Sequence, residues 1–234
     1  MARAGLSRQA VVDLALAVVD DAGSRGFEDL TLSAVAARAG VAVPSLYKHI
    51  GGLPELRRAV ARSCVSELAE VIETAVASAV PEAQPGAAEL RAAANAVRFF
   101  AWRTPGRYDA SQGSSWAQDP DAVEVQQAGA RSVTAIAEIL AQFDVAPDHL
   151  IDAVRAVRAA LHGFVVLELD GGFGMPEDVD ASFQFLVDAL VRSLALPSLP
   201  ESRTVRSGPA TPSGGRAASA ADARAGDPDR PRAR

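Results

Sequence analysis

Apolar residues in this chain recur three and four positions apart along nearly its whole length, and no stretch alternates apolar with polar residues. A period of 3.6 lines one face of a helix and a period of two lines one face of a strand, so the pattern predicts an all-α fold of about nine helices. Ala, Leu, Glu and Arg, which supply much of the pattern, are strong helix formers. At 234 residues the chain suits one small module followed by a larger one.

Breaks in the pattern divide it. Ser7 is the expected N-cap of a first helix that turns Val11, Ala15, Val18, Val19 and Ala22 inward and stops at Gly23 and Gly26, with Phe27 and Leu30 covering its end. Thr31 caps a short second helix running to Arg38, a third covers residues 43–49, and Gly51-Gly52 breaks it. Pro54 opens a long fourth helix to about residue 80, because a first-turn N–H is unpaired in any case. Helices are then predicted over residues 87–103, ended by Thr104-Pro105-Gly106, and over residues 120–143, with a polar loop at 111–115 between them. In the next helix Leu150, Val154, Val157, Leu161 and Phe164 form one stripe; in the last, Val179, Phe183, Leu186, Leu190 and Leu194 form another, before Pro197. Two such helices make half of a four-helix bundle. From residue 198 the chain is rich in Pro, Gly, Ser, Ala and Arg and poor in large apolar residues, so a disordered tail is expected over 198–234.

The net charge of −6 hides a division. Residues 1–62 carry +2, residues 63–197 carry −11 and the tail carries +3. A mildly basic head on an acidic body suits a protein that touches phosphate at one end, although an acidic body also serves as a solubilising surface. No charge-free apolar run approaches the roughly 20 residues of a membrane-spanning helix, and the first residues lack the layout of a secretory signal, so a cytoplasmic protein is expected. The single cysteine, Cys64, excludes an internal disulfide and reads as a small buried hydrophobe.

One segment carries chemistry. Across residues 31–50, Val35 and Ala36 face the first helix, small Ala39 lets two short helices approach, Gly40 suits a tight left-handed turn, and Val41 and Leu46 close a small core. A seven-residue third helix, roughly 10 Å long, fits end-on into a major groove about 12 Å wide. This is the anatomy of a helix-turn-helix. Ala36-Ala37-Arg38-Ala39-Gly40-Val41 and Leu46-Tyr47-Lys48-His49 resemble the signature of TetR-type repressors over about residues 7–66. Further on, Leu161-His162-Gly163-Phe164 with Leu167-Glu168, Gly172-Phe173 and Phe183 is similar to the body type named after a Trp-His-Gly motif, with Leu161 where that Trp stands.

The resemblance implies a DNA-binding domain over 7–66 and a helical ligand-binding and dimerisation domain over 67–197. It implies that Val43, Ser45, Lys48 and His49 meet base edges or phosphates, that Pro44 meets a base or sugar, that Tyr47 reaches a phosphate, and that Thr31 and Ser33 touch the DNA backbone. Hydroxyl and ammonium groups donate to phosphate oxygens, and Val43 and Pro44 suit a thymine methyl. The competing reading of Tyr47 is a ring that only packs; that of His49 is a surface residue between helices. Many members of the family place a Lys just before the fourth helix, where this chain has Leu53; Arg3 and Arg8, as a flexible arm, are the expected compensation.

By the same resemblance the body holds a small hydrophobic effector, for which Phe99, Phe100, Trp102, Tyr108, Trp116, Phe164 and Phe173 are the candidate lining, although aromatics at helical spacing are more often core. The two striped helices, over about 148–169 and 178–195, are the expected homodimer surface, since each stripe left alone exposes apolar area. The partner is then double-stranded operator DNA with near-palindromic half-sites; no cofactor or metal is expected. A small helical hydrolase fits less well, because His49, His149 and His162 have no ligand spacing and His162 and Glu168 point to different faces of one helix. A DNA-bending structural protein hardly needs a body twice the size of its head.

Overall fold

A computed structural model describes residues 6–113 and 116–196. The tail over 198–234, Pro197, Arg3 and the Ser114-Ser115 part of the polar loop lie outside the described residues. Among the residues described there are nine α-helices and no strand. In chain order they are α1 (Arg8–Ala22), α2 (Leu32–Ala39), α3 (Val43–Leu46), α4 (Leu53–Ala77), α5 (Ala87–Arg103), α6 (Pro105–Ser111), α7 (Val123–Leu140), α8 (Leu150–Leu169) and α9 (Val179–Leu194). Single 3-10 turns follow α1 and precede α8.

Helix starts sit where side-chain oxygens replace missing intrahelical acceptors. Ser7 Oγ accepts from the Ala10 N–H at 3.1 Å, Thr31 Oγ1 from the Ala34 N–H at 3.2 Å, and an Asp178 oxygen from the Asp180 N–H at 2.8 Å. Each cap is worth about 1 kcal/mol. Two core clusters form. Val11, Val12, Ala15, Val19, Leu30, Val35, Leu46 and Ile50 close against the first half of α4, while Ile72, Leu90, Phe100, Ile139, Leu140, Val157 and Phe183 lie in a larger core shared by α4, α5, α7, α8 and α9. Leu56, Val60 and Cys64 of α4 belong to the first cluster and Leu68 and Ile72 to the second. Residues 66 and 67, where the sequence suggested a boundary, are consecutive residues of one continuous helix. Burial pushes the Cys64 thiol up to about 12, as for an inert core residue.

Several expectations need correction. Thr104-Pro105-Gly106 does end α5 at Arg103, but Pro105 also stands in the first turn of α6, where the sequence pattern predicts no helix. Proline ends one helix and begins the next equally well, because both roles need only a fixed φ and no N–H. The third helix is four residues long, with the chain turning through residues 47–49, and α7 is shorter at both ends than residues 120–143. Ala22 is exposed and Val18 half-buried. The stripes of α8 and α9 face their own protomer's core: Val154, Val157, Leu161 and Phe183 are buried there, joined by Val165, Val187 and Val191. Most of each stripe is therefore occupied within one chain, and the outer faces of the same helices carry the exposed apolar residues Ile151, Leu167 and Phe185.

Candidate nucleic-acid interface and internal cavity

The turn between α2 and α3 depends on Gly40. Its φ of 66° and ψ of 33° lie in the left-handed region, where a Cβ costs energy, and this reversal lets the Val41 N–H donate to the Ala36 carbonyl at 3.0 Å. Leu46 and Ile50, fully buried, then fix the roll of α3 and the turn after it. With those two residues inside, the rest of the segment must look outward. Pro44, Tyr47 and Lys48 are exposed, Tyr47 at 56%, and Val43, Ser45 and His49 are half-buried. Tyr47 is thus not a packing ring. Thr31 and Ser33, at the start of α2, are exposed as well; the Thr31 oxygen serves as the cap and its hydroxyl hydrogen is left to donate outward.

Charge sharpens the picture. Arg8 pairs with Glu55, Arg38 with Asp21, Arg25 with Glu28 and Asp29, Arg58 with Asp119 and Arg62 with Glu124. Arg57 donates to the Glu28 carbonyl at 2.6 Å and to the Leu30 carbonyl at 3.3 Å. Among the described residues of the head, Lys48 alone is a cation with no internal partner. Arg8 is therefore no flexible arm: it sits in the first turn of α1, and with the Gly51 N–H it holds the Glu55 carboxyl below its usual range. Leu53, where many TetR-type proteins have Lys, is half-buried against the head core.

In the body a cavity of about 90 Å³ lies among α4, α5, α6, α7 and α8. Of the seven aromatic residues expected to line it, Tyr108 and Trp116 do so. Phe99 and Trp102 are 61% and 65% exposed, Phe100 is buried in the core without reaching the cavity, and Phe164 packs on Phe173 at 4.7 Å and on Phe183 at 5.1 Å. The period of α5 accounts for the difference: Phe99, Phe100 and Trp102 cannot share a face. Ser132, Arg158 and His162 line the cavity without having been among the expected lining residues; Ser132 stands on α7, and Arg158 and His162 one turn apart on α8. Tyr108 Oη and His162 Nδ1 share a hydrogen bond at 3.0 Å, and Arg158 Nη2 donates to the Gln112 carbonyl at 2.9 Å. Burial pushes the Tyr108 hydroxyl up to about 12, and burial with Arg158 nearby lowers the His162 imidazole. A larger open cleft of about 680 Å³ between α1, α4 and α7 is lined by Arg8, Glu55, Arg58, Arg62 and Glu124, whose charges already match one another.

The head and cavity are joined by α6. A Cβ on Gly106 would come within 2.6 Å of the Gly23 carbonyl oxygen and 2.8 Å of Val19 Cγ1, so only glycine lets α6 lie this close to the end of α1. Arg107 grips Asp20 of α1 with two bonds of 2.8 and 2.6 Å and Glu67 of α4 with a third of 2.8 Å. Tyr108, the next residue, lines the cavity.

Residues 22–60 match the family model of bacterial regulatory proteins of the tetR family, and residues 90–190 match the tetracyclin repressor-like C-terminal domain. The HTH-type transcriptional regulator Rv0681 of Mycobacterium tuberculosis is 31% identical over 193 residues, 82% of each chain. The chain belongs to the TetR family. A second relative of this TetR-family regulator, YobS of Bacillus subtilis, also an HTH-type transcriptional regulator, is 29% identical over 83% of this chain and 95% of its own. A solved structure of a protein from Rhodococcus sp. RHA1 superposes with a TM-score of 0.67 at 26% identity, covering 82% of this chain and 97% of that one. The TetR-family regulator is thus a DNA-binding transcriptional regulator of a family that is generally not enzymatic. The matched head segment contains all eight residues named for DNA contact, and the matched body segment contains Tyr108, Trp116, Ser132, Arg158 and His162. Among the described residues no helix is long and apolar enough to cross a membrane.

Proposed function

We propose that this TetR-family regulator is a cytoplasmic, ligand-responsive repressor that grips a near-palindromic operator as a homodimer and lets go when a small apolar molecule enters the body. The observation that carries the DNA-reading role is Lys48, an exposed cation without an internal partner on a segment whose large aliphatic residues Leu46 and Ile50 are buried inward. Val43, Pro44, Ser45 and His49 read base edges and sugar beside it, while Tyr47, Thr31 and Ser33 hold phosphate. Residues 7–66 act as the head and 67–197 as the body, coupled through α4 and α6.

Dimerisation through the outer faces of α8 and α9 suits the exposed Ile151, Leu167 and Phe185 and the mid-helix Gly163, around which a Cβ would meet nothing within the protomer. Two heads then address half-sites about 34–36 Å apart or a multiple of this. For release, the ligand must favour one body conformation over the other. A cavity of about 90 Å³ is smaller than the roughly 300 Å³ at which ligand pockets begin, so filling it forces its walls apart, and α6 is the wall clamped to α1. Footprinting upstream of the gene that encodes the protein tests the reading. Two protected half-sites related by a dyad are expected; protection with no dyad, or none at low salt, refutes it.

A further inference from the structure

The walls of the α4–α8 cavity are chemically lopsided. Leu68, Ile72, Val97, Ile136, Val154 and Leu161 give it an aliphatic body, whereas the charged and titratable groups on its lining are Arg158, His162 and Tyr108, and no carboxylate lines it. Asp109, beside Tyr108 on α6, faces the neighbouring cleft together with Glu28 and Asp170. The positive field of Arg158 is felt at both titratable neighbours, opposing protonation of His162 and favouring ionisation of Tyr108. A cationic ligand is repelled there and an anionic one is matched.

Ser132 on α7 adds an independent sign. Helical serines ordinarily bond back to a carbonyl one turn earlier, as Ser63, Ser78 and Ser182 do at 3.2, 2.9 and 3.0 Å. Ser132 Oγ is buried on the cavity lining and has no partner. A buried hydroxyl left without a bond is destabilising, and a polar atom of a ligand would satisfy it.

We infer that the cavity is made for a small monocarboxylic acid with an apolar body, its carboxylate held at the Arg158, His162 and Tyr108 edge and a polar atom within reach of Ser132. One guanidinium fork matches one carboxylate in charge and geometry, whereas a phosphate brings a second charge that nothing on the lining neutralises. The aliphatic walls take the rest of the molecule. Size limits it to benzoate or hexanoate after modest expansion, since an apolar cavity of about 150 Å³ takes benzene. This rests on the cavity being the effector site of the proposed repressor.

The chain has two tryptophans, of which Trp116 lines the cavity and Trp102 is exposed. The Trp102→Phe full-length protein therefore reports cavity filling through Trp116 fluorescence alone, without DNA. Titration with benzoate and hexanoate is expected to give a saturable change at concentrations about tenfold below those needed for benzamide, hexanol or benzylamine. Arg158→Gln, at an exposed position and with its fold checked by a thermal melt, is expected to erase that preference while shifting benzamide by no more than about twofold. Equal binding of acid and amide, a preference that survives Arg158→Gln, or no saturable response to either acid overturns the inference. Acid-selective binding that leaves operator affinity unchanged sustains the cavity chemistry and removes its regulatory role, so the two failures are distinguishable.

Discussion

At Lys48 the head carries a positive charge that nothing inside the protein neutralises, while every described arginine around it is already engaged. Single residues also set the turn and the cavity edge. Gly40→Val forces a β-branched side chain into the left-handed region and is expected to cost about 1–2 kcal/mol; Gly40→Asn, which tolerates that region, should cost less, and thermal melts of the two variants check the order. His162 gives a pH signature of definite sign. Its folded pKa is lowered by burial first and by Arg158 second, with Asp109 opposing. The unfolded chain thus takes up its proton at a higher pH than the native protein. The contribution to stability is complete above the ordinary value of 6.5 and is lost as pH falls through the folded value. Asp109, raised by burial, has the opposite sign: its contribution is present below the ordinary 3.8 and lost as pH rises through its folded value. Melting temperatures between about pH 7.5 and about pH 5 should fall more steeply for the native protein than for His162→Gln; parallel curves contradict the assignment. At this scale the sequence was legible where neighbours in the chain are neighbours in space, as in the Thr31 cap and the Gly40 turn. It did not show that Ser132 of α7 would meet the Arg158 and His162 pair of α8 on one cavity, because that depends on how separate helices pack.

Among the elements, α6 has the greatest consequence for its length. Seven residues join the end of α1 to the cavity wall through Gly106, Arg107 and Tyr108. Gly106→Val is expected to destabilise the protein by about 1–3 kcal/mol through overpacking against Val19 and Gly23. Arg107→Met keeps an unbranched apolar stem without the three bonds of the guanidinium. It is expected to leave operator affinity within a few-fold and to blunt ligand-induced release, read as operator affinity with and without benzoate; undiminished release places the coupling elsewhere. The long helices were readable because each keeps one apolar face for four or more turns. Short α6 has no such face to display, and its Thr-Pro-Gly entry carries the same residues as a helix stop. The stripes of α8 and α9 were real, yet periodicity alone does not say which body a stripe packs against. Here the protomer's own core claims them, through Val157, Leu161 and Phe183.

For the whole molecule, function requires two heads on one side of a duplex. The outer surface of α8 and α9 is the surface proposed to pair, and Phe185→Glu places a charge where an exposed phenylalanine should be covered. Sedimentation is expected to show a dimer for the native chain and a monomer-dimer mixture for the variant, with operator affinity falling in step. The division of charge between head and body was visible in the sequence, but its meaning came from pairing: most of the head's arginines serve the fold, which leaves Lys48 for an outside partner. The most direct test is a salt titration of binding to the footprinted operator and to an unrelated duplex, for the native protein and Lys48→Ala. The expected result is a linear fall of log affinity with log salt, with the variant weaker by a similar factor on both duplexes and its slope smaller by about one. An unaltered slope, or a loss confined to one sequence, would contradict a phosphate contact at Lys48 and with it the way the head is held on DNA.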